Sequence, residues 1–287
     1  MSIQITTAFV QQFRTGVDQL VQQKKSRLRG AVRLETGIVG KTAFFDQIGA
    51  TAAVERTARH APTPQIDTPH ARRRVTLRTF DWADKIDNAD KIRTLNQFAS
   101  PYQMNGASAM GRSMDDVVIE AFYATAATGE TGTGTASLAT ANTVVWGSSG
   151  LTIAKLLAAK EILDAFENDP EEERYIALHA SQVTDLLNTT QVTSADFNTV
   201  RALAAGQLDT YMGFKFIRIE RLPLDSGGQR RVVAWRKSAM CLAIGADLTA
   251  RIDELPTFNY STQVYLNMDI GATRMEESGV VDIRCTV

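Results

Sequence analysis

The chain has 287 residues, 44% of them hydrophobic and 22% charged, with a formal net charge of −1. That supports one large domain or two ordinary ones around a sizeable core and excludes wholesale disorder. No apolar run approaches the ~20 residues that span a bilayer, and Met1–Ile5 lacks the basic and apolar regions of a secretory signal, so a cytoplasmic protein with no membrane partner is expected.

In chain order, residues 1–34 read as an arm. Phe13, Val17, Leu20 and Val21 fall at i, i+4, i+7 and i+8, one apolar stripe of a helix too short to bury it alone. A basic run follows: Lys24, Lys25, Arg27, Arg29 and Arg33. Gly30, Gly37 and Gly40 break the next stretch into extended pieces. Pro62, Pro64 and Pro69 mark 57–74 as an extended connection or hairpin tip, because each blocks helix and removes a ladder donor. The strand after it sets Arg72, Arg74, Thr76 and Arg78 on one face and Arg73, Val75 and Leu77 on the other. Phe80 and Trp82 then change phase, which predicts a bend or bulge. A two-stranded projection of this kind is only marginally stable by itself, so a neighbour must support it.

Ser100 as cap and Pro101 at the first helical position predict the start of a long helix. Met104, Ala107, Met110, Met114, Val117, Val118, Ala121 and Phe122 carry its stripe, and about 25 residues give a rod of roughly 38 Å. Glycines and threonines at 129–135 end it. From 151 the pattern becomes α/β. A helix over 151–166 is stopped by Asn168-Asp169-Pro170, a short strand covers 175–178, and Ser181 caps a helix through Leu187. Another helix at 196–205 ends at Gly206. Strands follow at 214–221, 232–235 and 240–244, with the Asp225-Ser226-Gly227-Gly228 turn between the first two. Alternation from Phe258 to Met268, and again at Val281, Ile283 and Cys285, makes the C-terminus β.

No reaction centre survives inspection. Gly40-Lys41-Thr42 resembles the end of a phosphate-binding loop, but Glu35 stands where that loop needs glycine. Gly132-Thr133-Gly134 follows a helix rather than a strand. His60, His70 and His179 lack metal-ligand spacing. Asp115-Asp116 and Glu171-Glu172-Glu173 are adjacent-residue runs whose carboxylates do not converge, the second reading as a solvated loop or helix start. Cys241 and Cys285 have no disulfide or CxxC spacing and read as reduced, structural thiols. Neither catalysis nor a cofactor nor a metal is expected.

Charge is distributed unevenly. Residues 1–93 hold 16 Lys/Arg against 9 Asp/Glu, and residues 94–287 hold 15 against 23. The basic part therefore meets nucleic acid or the acidic part of a neighbouring copy. Lys24, Lys25, Arg27, Arg29 and Arg33 suit phosphates without reading sequence, since no nucleic-acid module accompanies them. An outstretched arm followed by a rigid rod suits a subunit whose partner is another copy of itself.

The strings Ala43-Phe44-Phe45-Asp46-Gln47-Ile48-Gly49, Arg59-His60-Ala61-Pro62-Thr63-Pro64, Thr68-Pro69-His70-Ala71-Arg72-Arg73-Arg74, Trp82-Ala83-Asp84 and Ala109-Met110-Gly111-Arg112-Ser113-Met114-Asp115-Asp116 resemble tailed-bacteriophage major capsid proteins. The resemblance covers the whole chain. It implies an α+β chain with the tailed-phage and herpesvirus capsid fold: an N-terminal arm (1–40), an extended E-loop with flanking strands (41–97) and a peripheral domain with the spine helix at 101–127 (98–150). An α/β axial domain (151–250) and return strands to the peripheral sheet (251–287) complete it.

On this view the protein self-assembles, through pentamers and hexamers, into the icosahedral head around the double-stranded DNA of a tailed phage. It resides in the virion, and in the host cytoplasm during assembly. Arg72, Arg73, Arg74, Arg78, Phe80 and Trp82 are the subunit-interface candidates, the arginines pairing with acidic groups next door. Lys24, Lys25, Arg27, Arg29 and Arg33 are the inner-surface, DNA-facing candidates. Some relatives begin with a cleaved scaffolding segment, whereas here the arm starts almost at once, so a separate scaffolding protein is expected beside the portal, with a decoration protein as an optional partner. No Lys–Asn crosslink is assignable, and contacts are taken as non-covalent. An encapsulin-like compartment is the alternative; a P-loop NTPase or a plain nucleic-acid-binding module ranks below it.

Overall fold

The computed structural model describes residues 22–60, 62–86, 99–166, 171–188 and 210–287. The expected stripe at Phe13 to Val21, the Asn168-Asp169-Pro170 stop and the helix at 196–205 lie outside the described residues. In chain order the strands are β1 (Arg33–Thr36), β2 (Thr42–Ile48), β3 (His70–Thr76) and β4 (Arg78–Ile86), followed by helix α1 (Ala99–Tyr123). Then come β5 (Ala126–Thr128), β6 (Gly134–Ala136), β7 (Thr143–Val144), α2 (Ile153–Asp164), β8 (Arg174–Leu178) and α3 (Ala180–Leu187). The chain closes with β9 (Thr210–Tyr211), β10 (Phe214–Arg218), β11 (Arg230–Arg236), β12 (Met240–Leu255), β13 (Ser261–Arg274) and β14 (Val280–Cys285).

Among the described residues three sheets result, ordered β1-β12-β13-β4, β7-β14-β11-β8-β10-β9 and β2-β3-β5-β6. The phase change expected near Phe80 is real. Leu77 alone separates β3, paired to β2 in one sheet, from β4, paired to β13 in another. The run therefore leaves one sheet and enters the next, and Arg73 and Val75 are buried on one side while Phe80 and Trp82 are partly buried in the opposite phase.

Helix α1 lies on β13. Met110, Met114, Val117, Val118 and Phe122 bury against Leu266, Met268 and Ile270. Gly106 permits the close approach, because a Cβ there would stand 2.2 Å from Leu266 Cδ1 and 2.5 Å from Trp82 Cε3. The helix differs from expectation at both ends. Ser100 and Pro101 fall inside its first turn, where the missing proline N–H costs nothing because first-turn donors have no intrahelical partner. It stops at Tyr123 rather than near 127, because Ala126–Thr128 is drawn off as β5 to pair with β3 at Arg73↔Thr128 and Arg74↔Ala127.

The six-stranded sheet is covered on both faces, so its central strands read as apolar runs. Tyr175, Ala177, Val233 and Trp235 face the α1 cluster. Ile176, Leu178, Val232, Ala234, Val281 and Ile283 face Leu156, Ala159 and Leu163 of α2 and Val183 and Leu186 of α3. Thr152 caps α2, its side chain accepting from Lys155 N at 3.4 Å. The cap of α3 is His179, not Ser181: its Nδ1 accepts from Ser181 N at 3.3 Å.

Two further expectations are corrected. β12 runs 16 residues rather than stopping at 244, and its outer half pairs with β13 from Thr249↔Asn267 to Leu255↔Ser261. The strands expected to return together after 251 part company: β13 stays beside β12, whereas β14 inserts between β7 and β11. The cause is local: Val280, Val281, Asp282 and Ile283 are all buried, which only a sheet covered on both faces provides.

Candidate assembly surfaces

The arm is fastened to α1 by a buried carboxylate. Asp115, fully buried, accepts from Gln23 Nε2, from Ser26 Oγ at 2.6 Å, and from the backbone N–H groups of Arg27 and Leu28 at 3.1 Å. One turn earlier Arg112 Nη1 donates to Gln22 Oε1 at 2.8 Å and to Gln23 O at 3.2 Å. Gly111 makes room between them, since a Cβ there would stand 2.9 Å from Ser26 N and 3.1 Å from Lys25 C. Leu28 then enters the core, and Trp235 Nε1 donates to Ala31 O at 2.8 Å. The Gly111-Arg112-Ser113-Met114-Asp115 string thus serves as a clasp, a role invisible in its own neighbourhood because its partners lie about ninety positions upstream. Asp116 points elsewhere, to a doubly hydrogen-bonded ion pair with Arg221.

The five basic arm residues are not equivalent. Arg29 makes two hydrogen bonds to Asp247, at 3.0 and 2.6 Å, which raise the arginine pKa and lower that of the carboxylate. Arg33 pairs with Glu35 at 2.5 Å. Arg27 is exposed and donates to the Arg218 carbonyl. Lys24 and Lys25 are exposed and form no ion pair among the described residues.

On the β2–β3 projection, three of the arginines expected to pair with acids of a neighbouring subunit have acidic partners within the chain. Arg72 Nε meets Asp46 Oδ1 at 2.5 Å because the strand register sets these two opposite each other, and its guanidinium stands 5.7 Å from the Phe44 ring centroid. This hydrogen bond lowers the Asp46 pKa and raises that of Arg72. Arg73 is buried, donating to Met275 O at 2.9 Å and pairing with Glu277 at 2.5 Å, while Gln47 Nε2 donates to the same Met275 carbonyl at 2.7 Å. Arg78 pairs with Glu120 at 2.7 Å. Arg74 packs over Gly132, and its buried Nε has no hydrogen-bond partner among the described residues. Phe80 and Trp82 lean on the chain's own core. The projection also leaves apolar side chains uncovered: Phe44, Ile48, Val54 and Ile66 are exposed, as is every described residue from 49 to 69.

Gly40-Lys41-Thr42 opens a strand, with Lys41 O accepting from Leu77 N at 2.8 Å, and not the helix that a phosphate loop requires. The acidic run 171–173 is more than a solvated loop. Glu172 accepts from Arg236 Nη1 at 3.1 Å and Ser238 N at 2.8 Å, and Glu173 binds Lys215 and the Tyr175 hydroxyl. Those two donors hold the Glu173 carboxyl at about 2. Sequence reasoning also passed over Arg274, whose buried guanidinium donates to Phe122 O at 2.7 Å, Ala124 O at 2.6 Å and Ala136 O at 3.0 Å, closing the carbonyl end of α1.

A family profile described as phage capsid protein matches residues 5–287. The fold is shared with the capsid structure of cyanophage P-SCSP1u, at a TM-score of 0.77 and 16% identity, covering 98% of this chain and 94% of that one. It is also shared with the capsid of Ralstonia phage GP4, at a TM-score of 0.76 and 10% identity, covering 96% and 94%. A third similar structure is the capsid asymmetric unit of cyanophage Pam1, at a TM-score of 0.69 and 15% identity, covering 98% and 97%. Among curated protein sequences nothing matches.

Proposed function

The chain belongs to the phage capsid protein family as a major capsid protein, and we propose that its copies close, through pentamers and hexamers, into the icosahedral head that encloses the double-stranded DNA of a tailed phage. The observation that carries this reading is the exposed stretch 49–69 with its uncovered Val54 and Ile66, together with the exposed Phe44 and Ile48 of β2. Apolar surface held out from the body marks a face that another copy covers. In this reading 22–40 belongs to the arm, 41–86 to the E-loop and its strands, and α1 is the spine helix of the peripheral domain. The two-faced six-stranded sheet with α2 and α3 forms the body of the axial domain. Many weak contacts repeated around a closed shell sum to a stable particle.

Lys24, Lys25 and Arg27, without acidic partners among the described residues, are the residues we assign to packaged DNA, by charge and without sequence readout. Arg29 and Arg33 contribute less, their charge being offset by Asp247 and Glu35. That free positive charge favours a nucleic-acid cargo over the protein cargo of an encapsulin-like compartment. A scaffolding protein and a portal act with it in the host cytoplasm, no step requires catalysis, and the finished location is the virion. Electron microscopy and sedimentation of the purified protein, alone and with co-expressed scaffolding protein, test the reading: closed shells are expected, and a self-sufficient monomer under all conditions overturns it.

A further inference from the structure

Residues 121–128 suit a helix better than the strand that part of them forms. Four of the eight are alanine, the best helix former. Gly129, at φ 86°, stands where a helix ending at Thr128 places its left-handed cap. Yet α1 stops at Tyr123, and the residues that follow form β5, joined by two rungs to β3 and three to β6. Ala124 still donates in helical fashion, to Glu120 O at 2.9 Å. What blocks the continuation is Arg274. Four more helical residues need their N–H groups to reach the carbonyls of 121–124, and Arg274 already occupies those of Phe122 and Ala124, at 2.7 and 2.6 Å. That arrangement leaves two buried atoms without hydrogen-bond partners among the described residues, Arg274 Nε and, three positions on, Glu277 Oε1.

Resting on the shell reading above, we infer that residues 124–128 are a two-state joint: β5 in some copies, and in others an added turn of α1 that ends at Gly129. In the second state the amides of Ala126 and Thr128 take over the Phe122 and Ala124 carbonyls, Arg274 turns to the free oxygen of Glu277, and β3 is released from β5. Strand hydrogen bonds are thereby exchanged for helical ones rather than simply lost. Copies in pentamers and in hexamers meet their neighbours at different angles, so one sequence must let the β2–β3 projection leave the body in more than one direction. The rungs Arg73↔Thr128 and Arg74↔Ala127 tie that direction to the end of α1. Arg73, held by Met275 O and Glu277, stays as the pivot.

Electron microscopy of closed particles, with pentamer and hexamer copies reconstructed separately, tests the joint. Helix α1 is expected to end at Tyr123 in one kind of capsomer and at Thr128 in the other. Finding β5 in every copy overturns the joint, as does an extended helix in every copy. Thr125 is exposed and lies between helix and strand, so a substitution there biases the joint without touching the core. Thr125→Gly disfavours the helical state about fivefold relative to Thr125→Ala. At equal concentrations of folded subunit, the yield of closed particles is expected to fall by about that factor, and equal yields overturn the joint. Wild-type subunits that never form closed particles overturn the shell reading instead.

Discussion

The hydroxyl of Ser26 donates to the carboxylate of Asp115 at 2.6 Å across 89 positions of sequence. With Gln23 and two backbone N–H groups on the same carboxylate, this is where the arm is fixed to α1. Replacing Asp115 by Ala strands those donors, each costing about 1–3 kcal/mol when buried, and is expected to lower the melting temperature and speed tryptic cleavage after Lys24 and Lys25. Gly111→Ala should expose the same bonds by pushing the arm off, with Asp115 intact.

Arg72 and Arg73 are expected to separate folding from assembly. Arg73→Ala removes a buried group tied to Glu277 and Met275 and should destabilise the monomer by about 2–4 kcal/mol in urea unfolding. Arg72→Ala removes an exposed, solvent-screened pair with Asp46 and should leave the urea midpoint unchanged. A fall in particle yield for Arg72→Ala with an unchanged urea midpoint would place its role between subunits.

Arg274→Met leaves the Phe122, Ala124 and Ala136 carbonyls without their donor and takes the cation from the negative end of α1. A loss of about 3 kcal/mol is expected, with hydrogen exchange accelerated first in the last turn of α1.

Acid sensitivity has an identifiable contributor in Glu173. Its carboxyl is lowered from 4.5 to about 2 by hydrogen bonds from Lys215 and Tyr175. A depressed acid stabilises the fold above its unfolded value and stops doing so as it is protonated. The difference in melting temperature between wild type and Glu173→Gln should therefore be full above about pH 4.5 and fade as pH falls toward about 2.

Burial pushes the Cys241 thiol up to about 12 and the Cys285 thiol up to about 11. Neither is appreciably thiolate at pH 8, so alkylation followed by mass spectrometry should label both only after unfolding.

The sequence made α1, α2, β8 and the β2–β3 projection legible because each carries its periodicity or breakers locally. The outer half of β12 escaped because both its faces are exposed beyond Asp247, so nothing alternates. Strand alternation placed Arg73 on the same face as Val75, yet could not name Glu277, 204 positions away. Asp115, Arg274 and His179 escaped for the same reason: a clasp, a helix-end donor and an imidazole cap are defined by distant or atypical partners.

The single residue between β3 and β4 has a mechanical consequence. Tension on the outstretched loop travels along one continuous extended backbone from His70 to Ile86. There it loads β4 lengthwise against β13 over nine paired positions. Pulled in that direction the rungs share the strain and must fail together, whereas a strand peeled from its end gives way one rung at a time.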